Sequence, residues 1–457
     1  MADLTVETTP IPGLLVVRLP VHGDNRGWFK ENWQREKMVA LGLPDFEPVQ
    51  NNMSYNDAVG TTRGIHAEPW DKFVSSAQGT YFGAWVDLRD GDSYGTVFTV
   101  EVDPSVAVYV PRGVGNAYQT LTPNVTYSYL VNDHWSADKI PSYSYVNLAD
   151  ETVAIPWPIP LDQAEISEKD KAHPRLADAT RIPAKKTLIL GNKGQLGRAL
   201  AVEFPDADGF DIDTLDLGDQ AQVAAFPWAD YDLILNAAAW TNVDGAETDE
   251  GRRGSWKANA AVPAMLARIA LANRQTLVHV SSDYVFDGSK HDWTETDEMA
   301  PLSVYGQSKA AGDLAVGVLP RHYILRTTWV VGDGKNFIGI MAGLAEKGVK
   351  PTVVSDQVGR LTHTSNLAAA IAHLVRSNAP YGTYNCTDGG DAMSWADIAK
   401  AVYEAHGASA DDVTPVTTQE YYAGKAGIAP RPLRSRMDLT KLEATGYVVP
   451  VYAPGRL

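Results

Sequence analysis

The chain has 457 residues, 44% hydrophobic and 21% charged, an ordinary globular composition with length enough for two or three domains. A formal net charge of −17 argues against non-specific binding to nucleic acid or to anionic membrane, where a basic patch is expected. The single cysteine, Cys386, excludes an intrachain disulfide and fits a reducing, cytoplasmic compartment; no apolar run reaches the about 18 residues of a membrane span, and the N-terminal stretch does not read as a signal peptide.

In chain order, the first part is made of short alternating runs. "YFGAWVDLRDGDSYGTVFTVEVD" and "SVAVYVPRGVGNAYQTLTPNVTYSYLVND" alternate apolar with polar residues and break at Gly, Asp, Asn or Pro, the pattern of many short strands in a sandwich or barrel. "NWQREKMVALGL" is the best helical stretch. The polar tract "KDKAHPRLADATRIPAKK" has two prolines and no clear periodicity, and it reads as a linker. His66 lies in "TRGIHAEPWDKFV" with Arg63 and Lys72 close in sequence. A lone histidine is more often structural than functional. A metal-binding cupin shows two histidines spaced by one residue plus a carboxylate; "GIHAEPW" has one histidine, so no metal is expected.

Together with "GDNRGWFKENW", "VQNNMS", "AWVDLRDGDSYG", "VPRGVGNAY", "TYSYLVND" and "ISEKDK", these stretches resemble the dTDP-4-dehydrorhamnose 3,5-epimerases over roughly Leu4 to Leu176. The resemblance implies a metal-independent, cupin-like jelly roll. It makes His66 the base, Asp170 the carboxylate that orients it and Tyr129 the opposing proton donor. It also puts Arg26, Glu31, Gln50, Asn52, Arg63, Lys72 and Asn116 at substrate contacts. The chemistry is coherent: inverting C3 and C5 removes protons alpha to a C4 ketone, which needs a base on one face, an acid on the other and a donor for the enolate oxygen. Lys72 is the candidate for that donor. Two motifs depart from the family: "NAY" stands where "HGF" is common, so Asn116 replaces a histidine, and "IHAE" stands where "LHYQ" is common.

After the polar tract the texture changes. "KTLILGNKGQLGRALAVEF" reads as strand, glycine turn and helix, with Gly191, Gly194 and Gly197 in the turn. Such a turn lets a pyrophosphate approach the backbone at a helix N-terminus; a glycine trio is weak evidence alone but here follows a buried strand. In "GFDIDTLDL", Asp211 or Asp213 can accept ribose hydroxyls, and an acidic loop without a ligand fits them equally well. "YDLILNAAAW", "QTLVHVSSDYVF" and "RHYILRTTWVV" are buried-strand candidates separated by helical patterns, which indicates a parallel α/β sheet. Tyr305 and Lys309 stand four apart in "VYGQSKAAGD", on one face of a helix. A cationic lysine there lowers the phenol's pKa, and Ser281 and Ser282 sit at the end of the preceding strand. By itself YxxxK more often marks a surface helix; with the glycine turn and the serines it suits nicotinamide-dependent carbonyl reduction.

From about Lys186 onward, "GNKGQLG", "NAAAWTNVDGAE", "SSDYVFDG", "VYGQSKAAGD", "SDQVGRLT" and "RPLRSRMD" resemble the dTDP-4-dehydrorhamnose reductases of the extended short-chain dehydrogenases. The resemblance implies a doubly wound Rossmann sheet with a smaller substrate-binding part. Ser282, Tyr305 and Lys309 are then catalytic, and Gly191, Gly194, Gln195, Leu196, Gly197, Asp211 and Ala238 lie at NADPH or NADH with Tyr305 and Lys309. Val243, Trp329 and Arg431 meet substrate, and Arg431 and Arg434 can pair with a diphosphate.

The expected organisation is therefore an all-β epimerase domain over 1–176, a linker over 177–185 and an α/β reductase domain over 186–457. The epimerase needs the C4 ketone that the reductase destroys, so epimerisation comes first. The expected activity converts dTDP-4-dehydro-6-deoxy-D-glucose to dTDP-L-rhamnose. The alternatives are another nucleotide sugar, another C4 stereochemistry such as 6-deoxy-L-talose, or a cupin half that only binds or dimerises. A homodimer through the cupin domain is also expected from the resemblance.

Overall fold

Alternation in the first part of the chain builds two antiparallel sheets. In the computed structural model, which describes residues 3–334 and 336–451, one sheet has the order Thr5–Thr8, Leu15–Arg18, Val106–Val110, Lys72–Gln78, Val125–Val131, Gln50–Asn56. The other runs Ser144–Tyr145, Thr62–Ala67, Val114–Thr120, Tyr81–Asp87, Val97–Val102. Non-sequential neighbours in both sheets are the mark of a jelly roll. Val74, Val108 and Tyr127 from the first sheet and Tyr81, Trp85 and Tyr118 from the second share one buried cluster. This is sheet-on-sheet packing, and the strands Tyr81–Asp87, Val106–Val110 and Val114–Thr120 are buried at every position.

The chain divides into two compact units between Ala184 and Lys185. The tract read as a linker is not free chain. Ile182 donates to Leu88 O (2.8 Å) and accepts from Asp90 N (2.9 Å). With Ala179 it packs against the cluster that holds Leu88 and Leu176. Leu176, Ala179 and Ile182 are three residues apart, and in a polar tract that thin apolar spacing does not register as periodicity. Upstream, Ser167 caps a four-residue helix, Glu168–Lys171, by accepting from Asp170 N.

In the second unit, alternating strands and helices give a fully parallel six-stranded sheet. Its order is Asp208–Phe210, Lys186–Leu190, Tyr231–Asn236, Thr276–Ser282, His322–Thr327, Gly382–Asn385. Buried clusters cover both of its faces, so the strands read as near-continuous apolar runs. Strand order reverses beside Lys186–Leu190, and a doubly wound sheet opens its ligand crevice at such a switch point. A smaller part has its own core, in which helices Phe337–Glu346 and Trp395–Ala405 pack together. Among the described residues no helix is long and apolar enough to cross a membrane.

Two candidate active sites

In the first unit, Thr62–Ala67 carries His66 between Asn116 on one neighbouring strand and Tyr145 on the other. Gly64 sets the strand's path: its φ is +126°, and a Cβ there would stand 2.5 Å from the Ala117 Cβ. Only glycine accepts both the left-handed backbone and that approach. The register slips between Asn116 and Tyr118 at the same place. Asp170, buried at the end of the short helix, accepts from His66 Nε2 (3.0 Å) and from Gly64 N–H (3.3 Å). Burial alone would raise its pKa. The His66 hydrogen bond and charge, with the Gly64 N–H, outweigh that and hold it below the ordinary carboxylate value. An ionised carboxylate only accepts, so Nε2 carries the proton and Nδ1 keeps a lone pair. The pair is therefore oriented for base catalysis.

Tyr129 stands on Val125–Val131, opposite Asn52 and Val74 in register. Burial and then the Glu68 carboxylate push its phenol up, while Asn52 and Arg63 pull the other way. Arg63 and Glu68 flank His66 in sequence, so Tyr129 faces the stretch that bears the histidine. Gln50 Nε2 donates to Asn52 Oδ1 at 2.8 Å and Arg63 Nε to Asn56 Oδ1 at 3.1 Å. Lys72 is buried and ion-paired with Glu68, its ammonium 5.8 Å from the Tyr129 ring centre. Expected as a free enolate donor, Lys72 thus already has a carboxylate partner, supplied by the departure "IHAE". Asn116 donates Nδ2 to the Tyr127 hydroxyl at 3.0 Å, and its buried Oδ1 has no protein partner. Arg26 and Glu31 are exposed and paired with Asp24 and Lys37; neither is bonded to this group.

One neighbour has no signal in the residue spacing. His173 lies three residues beyond Asp170 on the same short segment, its Nε2 3.8 Å from Asp170 Oδ1 and its ring 5.2 Å from that of His66. It is buried against the Tyr145 ring, centroids 4.7 Å apart. Burial and then His66 lower its pKa, against the pull of Asp170 and the Gly64 backbone.

In the second unit the glycine turn is sterically dictated. Gly191 has φ +78°, and a Cβ on it would lie 2.7 Å from Ala238 N; a Cβ on Gly197 would lie 2.1 Å from Gly191 O. Gly194 is the N-cap of helix Gln195–Glu203. Asp211 accepts the Lys193 N–H at 3.0 Å, whereas Asp213 is ion-paired with the Lys193 ammonium. A cavity of about 620 Å³ opens beside the turn, lined by Gly191, Gly194, Asp211, Ala238, Lys257 and their neighbours. Gln195 lines a second hollow of about 480 Å³ with Arg198, Asn336 and His363, and Leu196 packs into the core instead.

Ser282 ends the strand Thr276–Ser282, and Tyr305 and Lys309 stand on helix Val304–Gly317. Ser282 Oγ donates to Asp283 Oδ1 at 3.0 Å and accepts from Tyr284 N–H at 3.2 Å. The expected lowering of the phenol pKa is not what this arrangement produces. Burial and then Asp283 push Tyr305 up to about 12, with Ser282 opposing. Burial brings Lys309 down to about 8, with Asp313 opposing. Taking both groups out of water penalises both charges, and that outweighs what spacing alone suggests. Lys309 Nζ donates to Val280 O at 2.5 Å, and the buried Asp313 pairs with Arg326 at 3.0 Å.

Of the substrate-side residues, Trp329 stacks on Trp395 with centroids 3.9 Å apart. Arg431 is fixed to Asp244 (2.8 Å), next to the half-buried Val243. Burial lowers the pKa of Arg431, but its hydrogen bond to Asp244 and then Tyr284 outweigh that and raise it; the Tyr284 ring lies 5.4 Å from that of Tyr305. Arg434 is directed to Ser289 O at 3.2 Å.

Comparison with known proteins matches each unit separately. The RmlD substrate binding domain model matches residues 185–453, and the dTDP-4-dehydrorhamnose 3,5-epimerase model matches residues 8–178. The first unit is similar to the RmlC homolog of Streptococcus pyogenes serotype M6, with 50% identity over 39% of this chain and 92% of that protein. The second is similar to a dTDP-4-dehydrorhamnose reductase from Aggregatibacter actinomycetemcomitans, with 35% identity over 56% of this chain and 92% of that protein. Among solved structures, a dTDP-4-dehydrorhamnose reductase from Bacillus anthracis in complex with NADP aligns with a TM-score of 0.54 at 32% identity, covering 58% of this chain and 95% of that one.

Proposed function

The chain belongs to two families in series, the dTDP-4-dehydrorhamnose 3,5-epimerases and the RmlD-type reductases, and from that premise we infer how it works. It is a bifunctional enzyme that epimerises dTDP-4-dehydro-6-deoxy-D-glucose at C3 and C5 and then reduces the C4 ketone, giving dTDP-L-rhamnose. The observation that carries this reading is the presence, in one chain, of the His66–Asp170 pair and of Ser282 at a strand end followed by Tyr305 and Lys309 on the next helix.

In the epimerase unit, His66 Nδ1 takes the proton alpha to the ketone, and Asp170 stabilises the imidazolium that forms. Tyr129, kept protonated by its raised pKa, returns a proton on the opposite face. Lys72, whose charge Glu68 balances, offers its ammonium to the enolate oxygen. The division of labour follows the two units, which join between Ala184 and Lys185.

In the reductase unit, the Gly191–Gly197 cradle and the adjoining cavity fit a dinucleotide, since a side chain at either glycine would collide with backbone. The cofactor is NADPH, and when bound it supplies a hydride to C4. Tyr305, with a pKa of about 12, holds its proton at neutral pH and delivers it to the C4 oxygen. Ser282 positions that oxygen, and Lys309 stabilises the phenolate left behind. Arg431 meets the diphosphate. A Cβ added to Gly194 would stand 3.3 Å from Gly191 O, a tight contact that a shift of a few tenths of an ångström relieves, unlike the clashes at Gly191 and Gly197. Gly194→Leu is therefore expected to fold and to weaken NADPH binding at least tenfold in a fluorescence titration; unchanged affinity would remove the phosphate-loop assignment. Supplying the 4-keto sugar with NADPH and with NADH, and reading nicotinamide oxidation together with product stereochemistry, tests the whole assignment.

The enzyme acts as a cytoplasmic homodimer paired through its first unit. Support comes from Gln50–Asn56, the edge strand of its sheet, which exposes Met53 and Tyr55 at 67% and 60%; open edges with apolar side chains invite pairing. Light scattering is expected to give twice the chain mass, and Met53→Lys with Tyr55→Lys to shift it toward the monomer. A monomeric wild type at working concentration would end this proposal.

A further inference from the structure

Resting on the assignment of His66 as the base, we propose that His66, Asp170 and His173 also form a binding site for a divalent transition ion, Zn²⁺ being the probe of choice, and that filling it switches the epimerase off. His66, Asp170 and His173 can each offer one ligand atom, and these atoms lie within 4.8 Å of one another. Two imidazoles and a carboxylate are a donor set such ions favour. His173 has a buried side chain, 6% exposed, and neither ring nitrogen makes a hydrogen bond of good geometry. A buried polar group left so calls for an explanation, and a ligand role supplies one.

The spacing is close to what coordination needs. With Zn–N and Zn–O bonds of about 2.0–2.2 Å, tetrahedral ligand atoms stand about 3.3 Å apart. Here His66 Nε2 and His173 Nε2 lie 3.0 Å and 3.8 Å from Asp170 Oδ1. Small rotations of the two rings bring the set together. His66 is one-third exposed, which leaves the ion a side open to water.

The consequence for catalysis follows from the tautomer. Without an ion, Asp170 accepts the Nε2–H of His66, and Nδ1 is the free base. An ion on Nε2 takes that lone pair, so the neutral ring must carry its proton on Nδ1. The proton moves from one nitrogen to the other through solvent, no net charge is lost from the ring, and Nδ1 can no longer abstract. Metal binding and base catalysis therefore exclude each other at one imidazole. The sequence shows no paired cupin histidines because the second histidine comes from the segment after Asp170 rather than from the His66 strand.

The test uses the full chain after dialysis against chelator. Co²⁺ absorption and Zn²⁺ equilibrium dialysis read binding directly, solvent deuterium exchange into the 4-keto sugar reads the base, and NADPH oxidation with already epimerised sugar is the internal control. The expected result is one tight equivalent of ion, at least a tenfold loss of exchange at one equivalent of Zn²⁺, recovery with chelator, and an unaffected reductase. His173→Gln should lose that equivalent and show the same exchange rate with and without Zn²⁺, while exchange in its metal-free form certifies the fold of the first unit. Equal binding by wild type and His173→Gln overturns the site; full exchange at saturating Zn²⁺ overturns the switch. Absence of exchange in the metal-free wild type would count against His66 as base, an outcome separate from the Co²⁺ signal.

Discussion

Tyr305→Phe is expected to lower NADPH oxidation by about 10²–10⁴-fold, the range a positioned general acid contributes, while solvent deuterium still enters the 4-keto sugar at the wild-type rate. The change deletes one oxygen. The ring keeps its edge contact with Tyr284 at 5.4 Å, and Lys309 keeps its bond to Val280 O, so the helix and the dinucleotide cavity stay as they are. What disappears is a proton held ready at neutral pH, because burial has pushed the phenol to about 12. NADPH affinity should stay within about threefold of wild type, since the loss falls on the chemical step rather than on binding. Oxidation at the wild-type rate would remove Tyr305 as the acid. No mass gain in the recovered sugar would count against a working epimerase and revive a cupin half that only binds.

Much of this architecture is legible in the order of the residues. The spacing of Gly191, Gly194 and Gly197 after an apolar run states a steric demand, and the Cβ clash distances at Gly191 and Gly197 show why no other residue fits. The strand textures announce the jelly roll and the parallel sheet because alternation and continuous apolar runs report burial on one face or on two. Quantities set by tertiary enclosure are not legible in this way. Tyr305 and Lys309 are one helical turn apart in any helix, but the direction of the phenol's shift depends on how much water reaches it and on Asp283, which spacing does not report. The Glu68–Lys72 pair depends on how the chain turns between two strands. His173 leaves no signal because a four-residue helix is too short for periodicity, and its tract is polar enough to pass for a linker. The same composition conceals Ile182, which ties the tract to the first unit.

His66→Ala is expected to abolish deuterium incorporation at C3 and C5 and, with it, turnover of the un-epimerised sugar, while reduction of the already epimerised 4-keto sugar continues. His66 is partly exposed and its loss opens no deep cavity, so the fold should hold, and an unchanged near-ultraviolet circular dichroism spectrum checks this for the first unit. Asp170→Asn should also lower exchange, for a different reason. The carboxylate only accepts, which pins the His66 proton on Nε2; an amide can donate as well, so the ring populates the tautomer whose Nδ1 is protonated. The pH response gives a second handle. Asp170 is held below the usual carboxylate pKa in the folded chain, despite the burial that opposes it. Its charged form therefore contributes stability above the unfolded carboxylate pKa, and that contribution disappears as pH falls through the lower folded value. Wild type should lose first-unit stability over that acidic window, followed by near-ultraviolet circular dichroism, and Asp170→Asn should lack that part of the loss. Exchange at the wild-type rate in His66→Ala would place the base elsewhere. Exchange in Asp170→Asn equal to wild type would mean that the 3.0 Å contact does not set the tautomer.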